Sequence, residues 1–144
     1  MLDVMRLAAA WLGMTMLAAT GPCTEGSEFE PPLCPTGLPP VASLRIELQG
    51  AAVWTDPGGA SCRQFQLSGQ QVRRFFQDAR RVDAAAVHHT LPESPCSVLG
   101  RVVFADGSAG SWRLDQFELC WLDRVGSNQM VLYCRSCRLR PWAQ

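Results

Sequence analysis

Seven cysteines, Cys23, Cys34, Cys62, Cys96, Cys120, Cys134 and Cys137, constrain what this chain can fold into more than any other feature. What they do depends on redox compartment, and the amino-terminal residues bear on that. Leu7 to Ala19 is an apolar run without charge behind Arg6, and at about 13 residues it is shorter than the roughly 20 a helix needs to span a bilayer. Residues 1–20 therefore read as an export signal that is removed. The expected location is the periplasm, or the envelope facing it, where disulfides form and persist.

An odd count leaves one thiol over. Leu17-Ala18-Ala19-Thr20-Gly21-Pro22-Cys23 places a cysteine where a bacterial lipoprotein is cleaved and acylated. A lipid on Cys23 would leave Cys34, Cys62, Cys96, Cys120, Cys134 and Cys137 as an even set of disulfide candidates. Pro22 argues against this, because processing needs a small residue there, so ordinary cleavage near Ala19 or Thr20 is preferred. The connectivity stays open, since spacing alone does not determine it.

The residues after the leader suffice for one domain and one core. Formal net charge is zero, yet Glu25, Glu28 and Glu30 make the early segment acidic, while Val41 to Gln144 holds twelve arginines against nine carboxylates. So mild an excess does not indicate a nucleic-acid protein. No later run is long enough to cross a membrane, which leaves the leader or a lipid on Cys23 as the only membrane attachments expected.

Residues 21–40 contain six of the ten prolines and read as a tether, which Cys23 or Cys34 can pin to the domain but which adds no layer to the core. From Val41 to Gln144 the pattern is that of a single α+β domain. Leu44, Ile46 and Leu48 alternate with Arg45, Glu47 and Gln49, predicting a strand. A turn at Asp56-Pro57-Gly58-Gly59 and a second alternating run from Cys62 to Leu67 would complete a hairpin. Ser68-Gly69-Gln70-Gln71 is a capping box, and Val72, Phe75, Phe76, Ala79 and Val82 follow at helical spacing, predicting a helix over 69–82. Arg73, Arg74, Arg80 and Arg81 lie away from that stripe, where solvated charge is the usual outcome. After a loop rich in histidine and proline, Val98 to Phe104 and Ser111 to Phe117 flank an Asp106-Gly107 turn. Leu119 to Leu122 and Met130 to Cys134 add strands around Gly126-Ser127-Asn128. The expected fold is an antiparallel sheet of five to six strands, as two hairpins or a meander, with one amphipathic helix on one face and disulfides across it.

The elements Ser94-Pro95-Cys96, Phe104-Ala105-Asp106-Gly107, Trp112 and Tyr133-Cys134-Arg135-Ser136-Cys137 resemble those of a group of small exported bacterial proteins, many of them lipoproteins. The resemblance covers about the last 55 residues. It implies a compartment and a fold type, and carries over no activity and no catalytic residue.

Cys134 and Cys137 have the spacing of a metal pair or a redox pair. A redox motif opens a helix, whereas this one closes a strand and runs into Arg138-Leu139-Arg140-Pro141, so thiol redox chemistry is a minor alternative. A zinc or copper site would need Cys96, His88 or His89 as well, and adjacent histidines in a strand point to opposite faces. Structural disulfides with no cofactor are the expected outcome. No paired carboxylates, phosphate-binding glycine loop or nucleophile elbow is present, so an enzyme is not indicated. The expectation is a non-enzymatic binding module for another protein, of inhibitor or envelope-accessory type. Trp121, Trp142, Arg138 and Arg140 are its interface candidates, because tryptophan and arginine dominate interface energetics.

Overall fold

A computed structural model describes residues 21–55 and 61–137. Strands β1 (Val41–Ala52), β2 (Arg80–Val82), β3 (Cys96–Phe104), β4 (Ala109–Asp115), β5 (Leu119–Arg124) and β6 (Met130–Tyr133) form one antiparallel sheet in the order β1-β3-β4-β5-β6-β2. Helices α1 (Gly69–Asp78) and α2 (Ala84–His89) pack on opposite faces of it. The chain is α+β, with three disulfides.

The capping box forms at the start of α1: the Gln71 amide donates to Ser68 Oγ at 3.1 Å, and the Ser68 amide donates to Gln71 Oε1 at 2.9 Å. Val72, Phe75 and Phe76 are buried on the inner face of the sheet, against Val98, Val102, Phe104, Trp112, Leu114 and Leu122. Phe76 meets the rings of Phe75, Phe104 and Trp112 edge to face. The Trp112 ring lies so close to Gly100 that any side chain there would collide with it.

The helix stops at Asp78, four residues before the periodicity suggests. Ala79 turns extended, and Arg80 to Val82 continue as β2, paired with Tyr133 to Val131. Val82 is apolar because it belongs to the opposite face, in a second cluster with Leu33, Val87, Leu91, Leu119 and Val131. Arg80 and Arg81 therefore leave the helix, and the four arginines do not share one helical arc.

Two further expectations are corrected. The strand β1 pairs with β3, and Cys62 to Leu67 is not a strand. Cys62 is bonded to Cys96, the Phe65 amide turns back to the Cys62 carbonyl at 3.0 Å, and the Gln49 side chain bonds both the amide and the carbonyl of Leu67. A side chain thus satisfies backbone groups that a neighbouring strand would otherwise take. Phe65 and Leu67 are nonetheless both buried in the core beneath the sheet. The expected turn at Asp56 to Gly59 lies outside the described residues. Leu48 does not share a face with Leu44 and Ile46: Ile46 pairs with Gly100 but Leu48 with Leu99, so one extra residue reverses its side, leaving it 53% exposed. The histidine-bearing loop contains α2, capped where Asp83 Oδ1 accepts the Ala85 amide at 3.0 Å.

The proline-rich arm also differs from a free tether. Cys34 exchanges two backbone hydrogen bonds with Arg81, at 2.9 and 2.7 Å, and Leu33 is buried beneath α2. No helix among the described residues is long and apolar enough to cross a membrane.

Candidate functional site

The pleat of the sheet sends Leu99, Arg101 and Val103 of β3, Ser111, Arg113 and Asp115 of β4, and Leu119, Trp121 and Asp123 of β5 to the face opposite α1. Half of this outer face is covered: α2 and Leu33 close over Leu119, Val131 and Val82. The half formed by β1, β3 and β4 has no layer over it among the described residues. Two grooves of about 740 and 670 Å³ run along it and share Arg45, Arg101, Ser111 and Asp123, so they form one continuous surface.

Register sets its chemistry. Arg45 stands directly opposite Arg101, Arg101 opposite Ser111, and Ser111 opposite Asp123. Like charges placed so oppose pairing. Glu47 offsets this, its Oε1 lying 3.5 Å from Arg45 Nη2 and 3.7 Å from Arg101 Nε, although exposed pairs of this kind contribute only about 0–1 kcal/mol. The next row is Leu48, Leu99, Arg113 and Trp121. The Arg113 guanidinium lies over the Trp121 ring, 3.6 Å from its centroid, and its Nη2 is 3.4 Å from Glu93 Oε1. A stacked pair this sheltered is worth about 0.5–2 kcal/mol. It also leaves a planar cation and an indole fixed at the boundary between the covered and open halves.

Asp115 organises the wall beside this pair. It has no exposed surface, its Oδ2 accepts the Ser94 amide at 2.9 Å, and its Oδ1 accepts those of Phe117 and Leu119 at 2.8 and 3.2 Å. Burial raises its pKa to about 6, outweighing the three donors and nearby Arg113. It ties the loop carrying Glu93 to the β4–β5 turn, in which Glu118 takes a positive φ of 69°.

The sites expected from sequence are distributed as follows. Trp121 is part of this surface; Trp142, Arg138 and Arg140 lie outside the described residues. Cys134 and Cys137 are bonded to each other, with Cys134 buried at the end of β6 rather than at a helix amino terminus. Cys96 is bonded to Cys62, and His88 and His89 are exposed on α2, so the alternative zinc or copper set is not brought together. Among the described residues no group of three His, Cys, Asp or Glu can hold a metal ion. The leftover thiol is not Cys23, whose sulfur is bonded to Cys34. It is Cys120, expected as a disulfide candidate but free and buried in β5, where desolvation pushes its thiol pKa far up.

Arg45, Arg101 and Arg113 were legible only as polar-side residues of separate strands. That they adjoin follows from β1 pairing with β3, which local alternation does not encode. Comparison with known proteins finds no family model that matches the chain, and no curated protein or solved structure that matches it.

Proposed function

We propose that the chain is an exported, non-enzymatic binding module that holds another protein on the open half of its outer sheet face. The observation that carries this reading is the Arg113–Trp121 stack at the floor of a groove of about 740 Å³ that nothing in the described chain fills. Arginine and tryptophan fixed in a sheltered depression are the residue types that become interface anchors. Export is supported by the apolar leader, by three disulfides suited to an oxidising, extracytoplasmic environment, and by the resemblance to small exported bacterial proteins. With Cys134 bonded to Cys137 and Cys96 to Cys62, the sulfurs of the alternative metal set are held in disulfides, and the Cys134–Cys137 pair closes a strand rather than opening a helix, which favours a structural over a redox role.

A photo-crosslinking side chain at Ser111, in cells that make the protein, tests the reading. One discrete extracytoplasmic adduct should form, and Arg101→Glu or Arg113→Gln should abolish it while circular dichroism shows an unchanged fold. No adduct, or an adduct indifferent to both substitutions, would overturn it.

A further inference from the structure

The outer face has a complement within this chain. Residues 23–34 form a closed loop: the Cys23–Cys34 bond ties its base, the Thr24 amide donates to the Leu33 carbonyl at 2.8 Å, and Thr24 Oγ1 accepts the Leu33 amide at 2.9 Å. At its tip Ser27 Oγ accepts the amides of Phe29 and Glu30, at 3.2 and 3.1 Å, and the Ser27 amide donates to the Glu30 carbonyl at 2.7 Å. This turn holds Phe29 out into solvent, 85% exposed. A fully apolar ring displayed on a braced, disulfide-closed tip has little conformational freedom left to lose on binding. Glu25 and Glu28 flank it, both exposed and without an ion-pair partner among the described residues. The third carboxylate, Glu30, is taken by Arg135 at 3.1 Å.

The face offers the opposite chemistry. Arg45 and Arg101 stand opposite one another with Glu47 between them, the carboxylate of Asp123 on the same surface is engaged by Gln129, and Leu48, Leu99 and Val103 supply apolar contact. Carboxylates arriving there would relieve repulsion between Arg45 and Arg101, and an aromatic ring would cover Leu48. Within one chain the two surfaces do not meet. The loop is fastened to β2 through Cys34 and Arg81, at one edge of the sheet, and Arg45 and Arg101 stand on β1 and β3 at the other. The separation is four to five strand spacings, on the order of 20 Å.

We propose that the occupant of the open face is the Phe29 loop of a second copy of this chain, so that copies associate head to tail through an acidic aromatic knob and an arginine-lined groove. The proposal rests on the open face being a protein-binding surface, and it names the partner. Different patches meet in this contact, so a bound pair still presents one free knob and one free groove, and assembly continues unless it closes on itself.

Light scattering after size exclusion, on the purified oxidised chain over a wide concentration range at low salt, is the measurement. Wild type should grow beyond a dimer with concentration, and added salt should reverse it. A knob variant, Phe29→Ala with Glu28→Gln, and a groove variant, Arg45→Gln with Arg101→Gln, should each be monomeric alone. Mixed, they should form a dimer that grows no further, because one intact knob and one intact groove remain. All four side chains are exposed, and thermal melts monitor folding. A monomeric wild type, association indifferent to either variant, or a mixture that stays monomeric would each overturn the proposal. If wild type is monomeric while the Ser111 adduct still forms, only the second copy is excluded and the protein-binding reading stands. If that adduct also needs Phe29, the loop meets a different protein.

Discussion

Asp115 shows how one buried group can set the pH response of a fold. Its carboxyl has an ordinary pKa of 3.8 and is raised to about 6 by burial. Between those values the native state holds a proton that the unfolded chain has released, so the native state binds more protons and stability falls as pH rises. The contribution is fully present below about pH 4 and is lost as pH passes about 6, amounting to about 3 kcal/mol for a shift of this size. Asp115→Asn cannot ionise. Its own cost, an amide nitrogen facing the Ser94 amide, is the same at every pH. Urea titrations of both proteins at pH 4 and pH 7 should therefore show wild type losing about 2–2.5 kcal/mol more than the variant across that interval, most of the full linkage. Parallel losses would show that Asp115 ionises freely in the fold.

The capped start and buried stripe of helix α1 are legible in the sequence, and they carry the largest predicted single-residue effect. Phe75 has no exposed surface and Phe76 almost none, both pressed on the sheet, so Phe75→Ala or Phe76→Ala should cost about 3–5 kcal/mol by denaturant titration. A loss below about 1 kcal/mol for both would make the helix peripheral. What was legible here and in the β3–β4 hairpin is local: a capping box, a period of 3.6, an alternation interrupted by Asp106-Gly107. What was not legible depends on distant partners. Cys62 to Leu67 alternates as a strand does, but Gln49 and Cys96 decide its backbone. Leu48 sits in a regular alternation, but a bulge against β3 turns it over. Of the candidate site, Trp121 was found because tryptophan is conspicuous by type, while the arginine row is a property of register. Phe29 was passed over because prolines on either side made its segment look like a tether.

Across the whole molecule the disulfides divide the labour. Cys62–Cys96 closes the longest loop, 34 residues in separation, and in the loop-entropy account should contribute about 4 kcal/mol; Cys23–Cys34 shapes the arm. One thiol should be titratable in the native chain's unfolded, unreduced state and none while it is folded, since Cys120 is buried. A reductant should lower the melting temperature and a chelator should leave it unchanged. The reverse order of sensitivity, read by differential scanning calorimetry, would restore the metal alternative. The position of Cys120 in the middle of β5 has a consequence for biogenesis. A nascent chain with seven thiols has on the order of a hundred ways to pair six of them. Nothing chemical distinguishes the seventh until β5 is enclosed between β4 and β6. Closure of β4 and β6 around β5 would withdraw Cys120 from exchange and leave six thiols to pair.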